Sequence, residues 1–213
     1  EKKIAGEVNF FTPSKAGDAG LRRGSDRGKN KAEMAGLSNS FKEATKLANE
    51  AVELLKPYCD KIMIVGSIRR KRPTVNDIDL LCIPSRNKLG FGQAVGELLG
   101  LVSDGKLIKR GIYKGLIQLD IYIASEATWD TLILIRSGSA THNIRLTSLA
   151  KRRGWHLYAD GRGLMNDKGK IVATSEEDIF NALSINYLLP ESRDPEVYMG
   201  LWKTLPREER ASP

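Results

Sequence analysis

The chain is 213 residues long, 41% hydrophobic and 28% charged, proportions that suit one globular domain or two small lobes sharing a core. That size excludes a large multidomain assembly, and no apolar run approaches the roughly 20 residues needed to cross a bilayer. Lys and Arg number 34 against 26 Asp and Glu, a net charge of +8, which favours an anionic partner such as nucleic acid.

Residues 1–36 are rich in Gly, Lys, Arg and Asp, with no hydrophobic period in "GLRRGSDRGKNK". Such a stretch buries too little apolar area to offset its ordering entropy, so it reads as a basic flexible arm. The sequence opens on Glu1, Lys2 and Lys3 with no initiator Met and no secretory apolar core, as a piece of a longer product would. From Ser40 the pattern changes. Ser40 and Glu43 form a capping-box pair, and Phe41, Ala44, Leu47, Ala48, Ala51, Val52 and Leu55 recur at helical spacing until Pro57.

Two short β-rich runs follow, "KIMIVG" (61–66) and "DIDLLCI" (77–83), joined by the basic connector "RRKRPTVN". A short helix is predicted over 92–101. "KLIKRGIY" and "LIQLDIYIA" then face each other across Lys114 and Gly115 as a hairpin. The resulting sheet is mixed or antiparallel with helices on one face. From Glu126 the period is helical again, breaks at "SGS" (137–139) and resumes to Lys151, Arg152 and Arg153 before the terminating Gly154. "WHLYADGRGLMNDKGKIVA" reads as short strands around an Asp-Lys-Gly turn, and Ser175 with Asp178 opens a last helix. Cys59 and Cys82, without CxxC spacing, read as buried thiols of a reducing, intracellular compartment, in the cytoplasm or nucleoid.

The chemistry concentrates on the strands. Side chains alternate along a strand, so Asp77 and Asp79 share one face while Ile78 and Leu80 take the other. Two carboxylates so close repel unless a cation lies between them. If the hairpin strand lies beside this one, Asp120 completes a three-carboxylate cluster. Hard oxygen ligands select Mg²⁺ or Mn²⁺, and two such ions can activate a hydroxyl and stabilise a leaving pyrophosphate. Gly66 admits a phosphate close to the backbone, Ser67 offers a hydroxyl, and Arg69 and Arg70 can pair with phosphate oxygens.

Together "VGSIRR", "NDIDLL", "QLDIYIA", "SGSATHNIRL" and "SEEDIFNALSINYLLPESR" resemble, over roughly residues 38–194, the family X DNA polymerases of the nucleotidyltransferase superfamily, the class of DNA polymerase beta. The resemblance implies an α+β fold. A nucleotidyltransferase palm of mixed or antiparallel sheet and helices would span 37–135, a small carboxyl-terminal α/β lobe 136–194, and a tail 195–213. It implies Asp77, Asp79 and Asp120 as ligands of two Mg²⁺ (or Mn²⁺) ions, with Asp120 activating the primer 3′-hydroxyl. Ser67 and Arg70 would bind the outgoing β and γ phosphates, in a nucleotide site that also includes Gly66 and Arg69. Gly138 and Ser139 would turn beside the sugar, and Asn143 would face the base edge. Arg145, Lys151, Arg152 and Arg153 are the candidate DNA contacts. The implied activity is addition of dNTPs to a primer-template or gapped DNA in gap filling or repair, by a monomer without a membrane partner. Two other readings remain open: a nucleotidyltransferase acting on RNA ends or a small acceptor, and a noncatalytic nucleic-acid-binding module.

The sequence departs from the family in the turn. Where the family commonly has Tyr-Phe-Thr-Gly-Ser, this chain has Ile135, Arg136, Ser137, Gly138 and Ser139, without the aromatic ring that helps exclude a ribose. Ala140 replaces a residue that often contacts the incoming base, and Thr147 stands where a template-contacting Arg is frequent. Relaxed exclusion of ribonucleotides is the expectation. The length leaves no room for the family's usual amino-terminal helix-hairpin-helix domain, so basic surface would have to grip the DNA, with steep salt dependence.

Overall fold

A computed structural model describes residues 39–99 and 103–196. The arm expected over 1–36 and nearly all of the tail expected over 195–213 lie outside the described residues. Helix α1 (Phe41–Leu55) begins with the full capping box: Glu43 N–H donates to Ser40 Oγ, and Glu43 Oε2 accepts from Ser40 N–H. Its buried stripe of Ala44, Ala48, Ala51 and Leu55 lets the helix approach the sheet closely. Pro57 converts the end of the helix into a 3₁₀ turn, Lys56–Tyr58, and the chain enters β2 (Cys59–Ile64). That strand begins two residues earlier than expected, and Gly66 opens the single-turn helix α2 (Gly66–Arg69) instead of closing the strand.

The main sheet has five strands in the order β2, β4 (Asp77–Pro84), β7 (Ile117–Ile123), β6 (Ile108–Tyr113) and β5 (Ser103–Asp104). Strands β4 and β7 run parallel and every other neighbouring pair antiparallel. This is the mixed sheet anticipated, in an α+β fold. One face packs on α1 and on α3 (Phe91–Leu99), through Ile78, Leu80, Cys82, Leu119 and Ile121. The expectation of helices on one face is corrected here. Leu81 and Ile83, on the side opposite Leu80 and Cys82, pack with Leu132 of α4 (Trp129–Ser137), so α4 covers one end of the second face.

Two short strands, β1 (Asn39–Ser40) and β3 (Thr74–Val75), pair beside α1. The carboxyl-terminal lobe holds α5 (Ala140–Arg152), the three-stranded sheet β8 (His156–Tyr158), β9 (Gly163–Met165) and β10 (Ile171–Ala173), and α6 (Glu176–Ala182). Its separate core includes Leu146, Leu157, Leu164, Ile179 and Phe180. Leu134 and Ile135 belong to that core whereas Leu132 faces the main sheet, so α4 runs through the boundary expected at 135. Ser175 caps α6 by accepting from Asp178 N–H, and Ser139 caps α5 by accepting from His142 N–H. Cys59 and Cys82 are free buried thiols, as read from the sequence. Among the described residues, no helix is long and apolar enough to cross a membrane.

Candidate active site

Parallel pairing of β4 with β7 sets Asp79 beside Asp120 and Asp77 beside Gln118. All three aspartates offer an oxygen within 4.8 Å of the others. The fit of this cluster to a cation follows from its electrostatics. Burial, then the charges of Asp77 and Asp120, push the Asp79 pKa up to about 7, against opposing help from Tyr122 and Arg70. Burial and the Asp120 charge also raise Asp77. Three carboxylates held together at this cost form a hard, anionic donor set suited to a divalent ion of the magnesium class.

Gly66 stands against this cluster at φ +64°, and a Cβ there would lie 1.9 Å from Asp79 Oδ2. Only glycine combines the left-handed backbone with that close approach. Next to it, Ser67 Oγ is buried and has no partner among the described residues. A buried hydroxyl without a partner is costly unless a ligand completes it, and a phosphate oxygen would do so beside the carboxylates.

Arg69 and Arg70 are both bound to the second lobe. Arg69 makes a two-pronged pair with Glu176 at 2.9 and 2.7 Å and donates to Ser137 Oγ at 2.6 Å. Glu176 also accepts from Arg193, a fully buried arginine, at 2.7 Å. Burial alone would raise Glu176, but the hydrogen bonds from Arg69 and Arg193 outweigh it and hold the carboxyl below its usual range. Arg70 donates to Asp194 at 2.9 Å and to the carbonyls of Ser137 and Gly138 at 2.6 and 3.0 Å. These arginines fasten the palm to the turn expected beside the sugar. Arg69, expected at a phosphate, is engaged through Nη1 and Nη2 by Glu176 and Ser137.

The turn itself is tight. A Cβ on Gly138 would lie 2.4 Å from Asn143 Oδ1, and Asn143 Nδ2 donates to Ile135 O at 2.7 Å. The amide expected at a base edge is therefore folded back on α4. Ser139 Oγ donates to Arg193 O at 2.7 Å while capping α5. Thr147 has its hydroxyl on the helix carbonyls of Asn143 and Ile144, which leaves it unsuited to replace a template-contacting arginine. Lys151, Arg152 and Arg153 are exposed at the end of α5, and Arg145 is half-buried.

Sequence reasoning missed Arg110, Gln118, Tyr122 and Glu176. Arg110 sits opposite Asp120 and donates to both its oxygens, at 2.7 and 2.5 Å. Gln118 Nε2 adds a bond at 3.1 Å. Tyr122 lies two residues beyond Asp120 on the same face, with the Arg136 guanidinium 4.3 Å from its ring centre. Strand alternation alone would have flagged Gln118 and Tyr122, two residues either side of Asp120.

Residues 132–194 match the DNA polymerase beta thumb family. Repair DNA polymerase X from two African swine fever virus isolates is 26% identical over 149 residues, a span covering 66% of this chain and 86% of the relative. The fold matches Leishmania infantum polymerase beta. Its ternary P/T complex aligns with a TM-score of 0.69 at 19% identity, covering 82% of this chain and 84% of that one. Its ternary gap complex aligns at 0.66 and 19% identity, covering 78% and 74%. The chain is therefore similar to the family X DNA polymerases: to the DNA polymerase beta thumb over residues 132–194 and to the viral polymerase X over 66% of its length.

Proposed function

We propose that the chain extends the 3′-hydroxyl of a DNA primer with deoxynucleotides, on primer-template or gapped DNA, in repair synthesis. The observation that carries the reading is the meeting of Asp77, Asp79 and Asp120 beside an unpartnered Ser67 hydroxyl. Two Mg²⁺ (or Mn²⁺) ions held by the three carboxylates would supply Lewis-acid chemistry, making the acceptor hydroxyl a better nucleophile and neutralising charge on the leaving pyrophosphate.

The chain's own residues do the positioning. Asp120, 2% exposed, is fixed by Arg110 and Gln118 and faces the acceptor side of the cluster. Ser67 donates to a phosphate oxygen of the departing group. Gly66 lets that group and Asp79 come together. Arg70 holds the carbonyls of Ser137 and Gly138, which keeps the nucleotide-side turn against the palm. The exposed cations at the end of α5 would follow the DNA backbone, so binding falls steeply with salt. The buried reduced thiols fit a reducing intracellular setting.

Extension of a gapped and a primer-template DNA, with Mg²⁺ and each dNTP in turn, tests the reading. Template-directed addition by the intact chain and loss of it in Asp120→Ala are expected. Absence of extension, or equal extension by the variant, overturns the assignment.

A further inference from the structure

Asp120 is held by two neighbours of different exposure. Arg110, opposite it on β6, donates Nε to Oδ1 and Nη2 to Oδ2, while Gln118 Nε2 also reaches Oδ1. The Asp120 side chain is 2% exposed and that of Arg110 50%. A guanidinium carries five N–H donors in one plane, and among the described residues Arg110 Nη1 makes no hydrogen bond. A strong donor fork thus remains on a side chain that is half in solvent, immediately beside the carboxylates.

Strand order shows what this fork faces. Ser67, the phosphate donor, lies past the end of β2, on one side of Asp77 and Asp79. Arg110 lies on β6, on the far side of Asp120, with neighbouring strands about 4.8 Å apart. In an in-line displacement the entering and leaving oxygens are on opposite sides of the phosphorus. With the leaving group on the Ser67 side, the acceptor comes from the Arg110 side. The anion that an acceptor DNA strand brings there is its last internucleotide phosphate. Ile112, two residues along β6 and 37% exposed, continues the same face with apolar surface for the terminal sugar.

We infer that Arg110 binds the internucleotide phosphate adjoining the acceptor 3′-hydroxyl and, through its fork on Asp120, aligns that carboxylate with the hydroxyl. The assignment rests on the nucleotidyl-transfer reading above. It also makes Arg110 more than a counterion: Nε and Nη2 stay on Asp120 while Nη1 meets the incoming anion.

A binding cycle tests this with the full chain. Wild type, Arg110→Ala and Arg110→Lys are titrated by fluorescence anisotropy, with Mg²⁺ and no nucleotide. One primer-template is natural, and the other carries a neutral methylphosphonate at the last primer linkage. The methylphosphonate should weaken wild-type binding about tenfold. Arg110→Ala should show about the same loss on natural DNA and little further loss on the modified DNA. Its salt slope should be shallower by about one. Arg110→Lys should recover part of the discrimination between the two primers. In parallel extension assays, Arg110→Ala should raise the DNA KM and also lower kcat, since both jobs are lost. Additive effects of the variant and the modified linkage, while wild type still extends the natural primer, overturn the Arg110 assignment alone. Failure of wild type to bind either DNA overturns it together with the polymerase reading.

Discussion

Replacing Gly66 with alanine separates the two demands placed on this residue. At φ +64° an L-residue costs about 1–2 kcal/mol in backbone strain, which for a chain of this size is roughly 3–6 °C in Tm. The added methyl would also lie 1.9 Å from Asp79 Oδ2, where ordinary contact begins near 3.4 Å. Either the carboxylate or the turn must then shift by about 1.5 Å, and a misplacement of this order costs about 10²-fold in rate. Gly66→Ala should therefore remain folded, melt a few degrees lower and lose about 10²-fold in single-turnover extension. Gly92→Ala is the control: its Cβ meets nothing within 4 Å, in a helix where alanine is favoured by about 1 kcal/mol, and it should be as active as wild type. Unchanged extension by Gly66→Ala, at any melting temperature, would refute the close packing of this turn against the Asp79 carboxylate.

Three further outcomes follow from the site. The folded pKa of Asp79, raised to about 7, lies above its unfolded value. The folded state therefore binds the extra proton, and metal-free stability falls as pH rises from about 4 to 7, by a few kcal/mol. Asp79→Asn should lack that component, and added Mg²⁺ should restore wild-type stability increasingly above pH 6; parallel melting curves for the two proteins would contradict this. Glu176→Gln leaves the fully buried Arg193 and the largely buried Arg69 without a counter-charge, so urea denaturation should show about 3 kcal/mol or more of lost stability. A loss below about 1 kcal/mol would mean that the pair is incidental. With Ile135 buried in the second core and no aromatic side chain in the 135–139 turn, discrimination of dTTP over UTP should stay under ~10²-fold; stronger selection would show that another group excludes the ribose hydroxyl.

The site was legible in the sequence wherever local chemistry fixes geometry. Asp-Ile-Asp on a strand dictates a shared face, Ser40 with Glu43 dictates a capped helix, and small residues at 137–139 dictate a break between helices. What escaped depends on register and on packing between lobes. A two-residue turn at Lys114 and Gly115 would have paired Arg110 with Leu119. The observed three-residue turn, with Lys114 and Gly115 both at positive φ, pairs Tyr113 with Ile117 and hence Arg110 with Asp120. A one-residue slip carries every side chain to a different partner, which is why Arg110 was not seen. The partners of Arg69 were missed for another reason. Its partner Glu176 is 107 residues away, and no local pattern indicates that a basic connector will be neutralised by a later helix. Asn143 follows the same logic, because its amide answers an unpaired carbonyl created by the break after α4.

The central claim is that Asp77, Asp79 and Asp120 act as one metal-dependent unit for nucleotidyl transfer. It is tested most directly by titrating Mn²⁺ into wild type and Asp120→Asn, following free ion by electron paramagnetic resonance, and measuring single-turnover primer extension on the same samples. Wild type should bind the ion and extend the primer. Asp120→Asn, nearly isosteric and folded, should bind the ion more weakly and extend at least ~10³-fold more slowly, the several kcal/mol expected of lost transition-state charge stabilisation. Equal binding and equal rates in the two proteins would contradict the account.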